Sequence, residues 1–246
     1  MSAAAAIVMA AGTGTRMQSD LPNVLFEVCG RPMIHYVLES LAAGGASRQV
    51  VVVGYRGELV RETLSGYDVE FVEQTEQLGT GHAVMVCRQA LADHDGPVVI
   101  VAGDSPMLRS DSIAALLEAF QRDRPACLLG SAYKSDPTGL GRIVRDAEGN
   151  FLGIVEQRDA TPEQAQIQEV NLSCYVFNCQ DLFDALDQIE PNNSQGEYYI
   201  TDCPGVLLAA GKDVRALAVL QPSEALSINN LQELAIVEAA MRDERS

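Results

Sequence analysis

Short apolar runs recur along the chain, at residues 4–9 (AAAIVM), 49–53 (QVVVV), 69–72 (VEFV), 98–102 (VVIVA) and 126–132, with amphipathic stretches between them. They constrain the fold more than any other feature. A strand with one face in water alternates apolar and polar side chains, whereas a strand apolar at successive positions has both faces covered. Helices predicted at 32–43, 58–64, 81–91 and 110–120 supply the covers. Pro32 suits a helix first turn, and Asp111 after Ser110 suits a cap. This alternation predicts an α/β fold on an open, doubly wound, mostly parallel sheet.

From about residue 136 the rhythm changes. Gly139, Gly141, Gly149 and Gly153 punctuate shorter strands at 142–145 and 152–156, and a charged linker, QRDATPEQAQIQE, leads to a strand at 173–177. This predicts a smaller mixed subregion over one edge of the main sheet. Within one domain of residues 1–246, we therefore expect a main part to about 135, a mixed part over about 136–230, and a closing helix in 231–246. With 246 residues, 47% of them hydrophobic, the chain can bury a large core.

Acidic side chains number 34 against 17 basic ones, a formal net charge of −17. Nucleic acid and anionic membrane surfaces need basic patches, so neither is expected as a partner. No apolar run approaches the ~20 residues of a membrane span. The start, MSAAAAIVMAAG, lacks a basic region and runs directly into a glycine loop, so it reads as a first strand rather than a signal peptide. Six cysteines, with no Cys-x-x-Cys pair and only three histidines, read as core thiols of a reduced, cytoplasmic protein rather than a zinc site or disulfide framework.

Three stretches carry candidate chemistry. In AAGTGTRM, Gly12 and Gly14 allow a tight turn whose N–H groups can approach a phosphate, and Arg16 adds a guanidinium that grips phosphate oxygens through two hydrogen bonds. The string is neither the Gly-x-Gly-x-x-Gly fingerprint nor a Walker A loop, and a plain strand-to-helix turn also satisfies it. In VVIVAGDSPM, Asp104 closes a buried strand at the ligand end of such a sheet, where it can hold Mg²⁺ or cap a turn. In EQTEQLGTGHA, Gln74 and Gln77 with Gly79-Thr80-Gly81 can read a flat base without adding charge; His82 lacks an acidic partner in the sequence and reads as structural.

The ordered set AAGTGTRM, EQLGTGHA, GDSP, DPTGLGRIV, GIVEQRDA, QEVN, QGEYYITD and INN resembles the uridylyltransferase domain of bacterial bifunctional N-acetylglucosamine-1-phosphate uridylyltransferase/glucosamine-1-phosphate acetyltransferases. The resemblance runs from about Ile7 to the last helix. It implies a Rossmann-like fold of the nucleotide-diphospho-sugar transferase type, Mg²⁺ as cofactor, and UTP with a hexosamine 1-phosphate as substrates. Ala10, Ala11, Gly12, Gly14, Gln74, Gln77, Gly79 and Thr80 would hold the nucleotide, Arg16 the triphosphate, and Asp104 with Asn229 the Mg²⁺. Gly141, Glu156, Asn171, Tyr199 and Thr201 would form the sugar pocket. The family's second half, a left-handed β-helix, is not in this sequence; because that half trimerises the relatives, a monomer or loose homo-oligomer is expected.

Two positions depart from the family pattern. The motif Leu-Pro-Lys-Val-Leu here reads LPNVL, with Asn23 in place of a lysine that contacts phosphates, and Ala102 stands where the family carries an aromatic residue. Losing one charge-assisted contact costs about 1.5–3 kcal/mol, or one to two powers of ten in rate, and about a thousandfold if the contact strengthens in the transition state. Three readings follow: an active uridylyltransferase; a weakened sugar-nucleotide-binding protein in which Asn23→Lys restores turnover; and an enzyme for another sugar phosphate or nucleotide, with room left by Ala102.

Overall fold

A computed structural model describes residues 3–12, 20–226, 228 and 231–243. Strand β1 (Ala5–Ala10) lies near the centre of a nine-stranded sheet, with β4 (Arg48–Val53) on one side and β6 (Pro97–Ala102) on the other, both parallel to it. β5 (Glu70–Glu73) pairs parallel with β4 and forms one edge. The β1 side chains obey the period of two: Ala5 and Ile7 enter one apolar cluster, while Ala6, Val8 and Ala10 enter another on the opposite face. Helices α1 (Met33–Ala43), α2 (Gly57–Thr63) and α4 (Ser110–Asp123) cover the second face. Helices α3 (Thr80–Met85), α5 (Cys179–Leu186) and α6 (Cys203–Ala209) cover the first. The sheet is doubly wound because its central strands need apolar partners on both faces.

The mixed part is not laid over an edge. β10 (Glu169–Asn178) enters the main sheet between β6 and β7 (Cys127–Tyr133), antiparallel to both. The hairpin of β8 (Gly141–Arg145) and β9 (Phe151–Val155) pairs onto β10 near its start, at Val170 and Asn171. β11 (Val214–Leu217) closes the far edge, parallel to β7. A small ribbon of β2 (Glu27–Val28) and β3 (Arg31–Pro32) packs with α7 (Leu231–Asp243) and Met107 in a third cluster.

Local details refine the expectations. Pro32 occupies the cap position before α1 rather than its first turn. The helix expected over 81–91 leaves α geometry at Met85, and Cys87 and Arg88 donate instead to carbonyls three residues back, in tighter turns that still bury Cys87 and Leu91. Five cysteines are buried, Cys29 is half-buried, and all are free thiols. Burial pushes the Cys87 and Cys203 thiols up to about 12, which keeps them protonated and inert. No helix among the described residues is long and apolar enough to cross a membrane.

Candidate active site

The carboxyl ends of β1, β5 and β6 open into a cavity of about 370 Å³. Ala11, Gly12, Gln74, Gln77, Gly79 and Thr80 all line it, and Asp104 lines it from the end of β6. Ala10, one residue earlier, is only 1% exposed and packs into the core beneath, because alternate residues of a strand face opposite ways. Gly14, Arg16 and Asn229 lie outside the described residues.

Backbone geometry builds the cavity. The Gln74 N–H donates to Val53 O at 2.8 Å, extending the β4–β5 pairing. The buried Gln74 side chain commits its amide nitrogen to Gly79 O at 3.2 Å and to His82 Nδ1 at 3.0 Å, which leaves the amide oxygen to meet a ligand donor. His82 is tied to Gln74 through Nδ1. Gln77 is exposed and donates to Gln74 O. Gly79 has φ +110°, and a Cβ there would lie 2.5 Å from Tyr198 O, so both backbone conformation and space demand glycine. The loop is zipped to a distant segment: Tyr198 N–H donates to Leu78 O, Gly81 N–H to Tyr198 O at 2.7 Å, and Ile200 N–H to Thr80 Oγ1.

A second cavity of about 180 Å³ shares Ala102, Asp104 and Ser173 with the first and adds Asn171, Leu140 and Glu224. Its wall is a β-bulge: the β10–β7 register shifts between Asn171 and Cys174, and Ser173 takes a left-handed φ of 53°. The Ser173 N–H donates to Asn171 Oδ1, while Asn171 Nδ2 donates to the buried Tyr175 hydroxyl at 2.7 Å. The Asn171 amide is thus held at both ends. Gly141 lies against the same residues, since a Cβ there would stand 3.4 Å from Glu156 Oε1 and 3.5 Å from Asn171 Cβ. Burial raises the Glu156 carboxyl above the usual range, against a hydrogen bond from the Thr201 hydroxyl that lowers it. Tyr199 precedes Thr201 by two residues and is raised first by burial, then by Glu197, Asp159 and Glu156.

Asn23 faces Asp104. Its Nδ2 stands 3.4 Å from Asp104 Oδ2, and its Oδ1 is buried with no hydrogen-bond partner. Two residues at the site carry no sequence signal. Ser173 needs the bulge to be visible. Glu224 is a buried carboxylate that accepts from Arg109 N–H at 2.9 Å, Ser112 Oγ at 2.7 Å and Gln221 N–H at 2.6 Å, capping α4 from a segment more than a hundred residues away. Burial nevertheless raises its carboxyl. The buried Arg142 donates from Nη2 to Gln157 Oε1 and Ala165 O, anchoring the charged linker.

The profile of the MobA-like NTP transferase domain matches residues 6–195. The chain belongs to the MobA-like NTP transferase family. It is a nucleotidyltransferase by that membership. Among the relatives of this MobA-like domain is the "Bifunctional protein GlmU" of Solibacter usitatus, 41% identical over 240 residues, which are 97% of this chain and 52% of the relative. The protein of the same name from Streptococcus agalactiae serotype V is 43% identical over 237 residues, 96% of this chain and 51% of the relative. The chain spans about half the length of these curated relatives. Among solved structures, the MobA-like fold superposes on a UDP-glucose pyrophosphorylase complexed with UDP-glucose, with a TM-score of 0.78, covering 99% of this chain and 100% of that one at 15% identity. At that identity the likeness concerns the fold alone.

Proposed function

We propose that the chain transfers a uridylyl group from UTP to N-acetylglucosamine 1-phosphate, giving UDP-N-acetylglucosamine and pyrophosphate, with Mg²⁺ as cofactor in a reducing cytoplasm. One observation carries this reading: the base-reading amides, the loop backbone and Asp104 border a single cavity, and that cavity shares Asp104 and Ser173 with a second one reaching Asn171.

In this reaction an oxygen of the sugar phosphate attacks the α-phosphorus of UTP, a new O–P bond forms, and the bond to the β-phosphate breaks. Such chemistry needs positioning and charge stabilisation, not a side-chain nucleophile. On this reading the Gln74 amide oxygen accepts the N–H of uracil. Ala11 and Gly12 bring main-chain groups to the nucleotide, and Gly14 and Arg16 complete the phosphate contacts. Glu156, Asn171 and Thr201 offer carboxylate, amide and hydroxyl partners to a neutral sugar, with Gly141 and Tyr199 beside them.

The donor set suits Mg²⁺. Among the described residues no group of three His, Cys, Asp or Glu could cage a metal, and Mg²⁺ commonly takes one or two carboxylates plus substrate phosphates. Asp104, with Asn229 as its expected partner, would hold the ion, which when bound neutralises charge on the triphosphate. Pyrophosphate release from UTP with a panel of sugar 1-phosphates tests the proposal; N-acetylglucosamine 1-phosphate should be preferred, and silence across the panel at high enzyme rejects it.

The lost lysine favours a second reading, a protein that binds UDP-sugars without turning them over. Calorimetry would then record binding of UDP-N-acetylglucosamine while pyrophosphate release stayed flat.

A further inference from the structure

We infer that Asn23 is itself a ligand of the divalent cation, standing beside Asp104, rather than the remnant of a lost phosphate contact. The inference rests on Asp104 being a cation-binding residue. Asn23 opens a single 3-10 turn, Asn23–Leu25, whose Val24 and Leu25 are buried, so the core and not solvent sets where its amide lies. Val24 packs over Gly103, whose Cβ, were there one, would meet Val24 Cγ1 at 3.0 Å. The backbone thus holds Asn23 and Asp104 against each other although they are 81 positions apart.

Neither end of the amide is well served by the protein. Nδ2 to Asp104 Oδ2 is 3.4 Å, long for a hydrogen bond to a carboxylate. Oδ1 is buried and accepts from nothing, so turning the amide over gives up no hydrogen bond except the long one to Asp104. Octahedral Mg²⁺ with oxygens at about 2.0–2.1 Å sets two adjacent ligand oxygens about 3 Å apart. A half-turn about χ2 exchanges the ends of the amide, which puts the carbonyl oxygen where Nδ2 now stands, near that spacing from Asp104 Oδ2.

The chemistry is coherent with the substitution. A carboxamide oxygen is a hard, neutral donor of the kind Mg²⁺ takes. It adds a ligand without adding negative charge to a protein that already carries a net −17. In place of a lysine that supplies positive charge to phosphates, the chain supplies a further oxygen to the ion that does so.

The test measures Mn²⁺ binding alone, without nucleotide, by the loss of its free electron paramagnetic resonance signal in the full chain. Asn23→Ala should weaken Mn²⁺ binding at least about tenfold, the lower range for losing even an outer-sphere partner of a metal site. Asn23→Asp should retain or tighten it, and Asp104→Ala should abolish it. Thermal midpoints of the variants report whether each is folded. Wild-type affinity in Asn23→Ala, with binding still dependent on Asp104, overturns the inference and leaves the uridylyltransferase reading standing. Binding indifferent to Asp104→Ala overturns both this inference and the assignment of Asp104. Pyrophosphate release by Asn23→Lys separates the two accounts: it rises above wild type if a phosphate contact was lost and falls below wild type if Asn23 is a cation ligand.

Discussion

The proposed nucleotide end of the cleft presents main chain and neutral amides: Ala11 and Gly12 beyond β1, and Gln74, Gln77 and Gly79 beyond β5. The proposed sugar end presents a half-buried carboxylate, Glu156, a clamped amide, Asn171, and a hydroxyl, Thr201, gathered from β10 and the segments after β9 and α5. The first is set by backbone geometry at the ends of parallel strands. The second depends on hydrogen bonds between side chains distant in sequence. An end built from backbone should be insensitive to pH, and an end built around a desolvated acid should not.

Where the two ends meet, at Asp104, the largest effect is expected. Asp104→Ala should cut turnover on the order of 10³-fold, read by pyrophosphate release, with a thermal midpoint close to wild type. Next comes the pin under the sugar end. Arg145 on β8 binds Glu169 on β10 through Nε and Nη2, both at 2.7 Å, and Ser131 on β7 donates to the same carboxylate. Arg145→Met strands the buried carboxylate and should cost about 3 kcal/mol in urea unfolding. Burial works to raise Glu169, but the hydrogen bonds from Arg145 and Ser131 outweigh it and hold the carboxyl below its ordinary value. A lowered folded pKa stabilises above the unfolded pKa and is lost as pH falls through the folded one, so wild-type and Arg145→Met stabilities should converge in acid.

Gly79→Ala breaks the comparison from the other side, because the Gly79 turn is zipped to the segment that carries Tyr199 and Thr201. It should cost about 2 kcal/mol from positive φ and backbone collision and raise KM for both substrates together. Glu156→Gln should affect one end only, with about tenfold weaker sugar-phosphate binding, near 1.5 kcal/mol. Because Glu156 titrates above the ordinary range, wild-type affinity for the sugar phosphate should fall as pH drops through that raised value and the acceptor becomes protonated. The variant should lose that component and keep only the titration of the sugar phosphate itself, and the pH dependence of UTP affinity should be the same in both proteins. The smallest effect belongs to the exposed Gln77: Gln77→Ala should raise KM for UTP by about fivefold, under 1 kcal/mol.

Much of this architecture is legible in the order of residues. The β1, β4 and β6 strands show themselves because burial on both faces forces unbroken apolar runs, and the loop beyond β5 because a positive φ and a close backbone leave room only for glycine at Gly79. Helices α5 and α6 do not: both are short, and their apolar residues follow cysteines and a proline rather than a long periodic pattern. The placement of β10 between β6 and β7 is equally hidden, since an antiparallel central strand and an edge strand share the same composition. Ser173 and Glu224 carry no local signature, because a bulge and a cap across more than a hundred residues exist only once the partners have met.

Sequence alone determined that the sheet would be covered on two faces, that glycine-bearing loops would follow its strands, and which residue types were available there. Local pattern suffices for these, because hydrophobic periodicity and backbone freedom are properties of neighbours in the chain. Tertiary structure alone decided that Asn23 would rest against Asp104 with one amide end unpaired, and that Glu156 would be desolvated beside Thr201. Burial and partnership of a polar group depend on residues brought together by folding, and no reading of adjacent positions contains them.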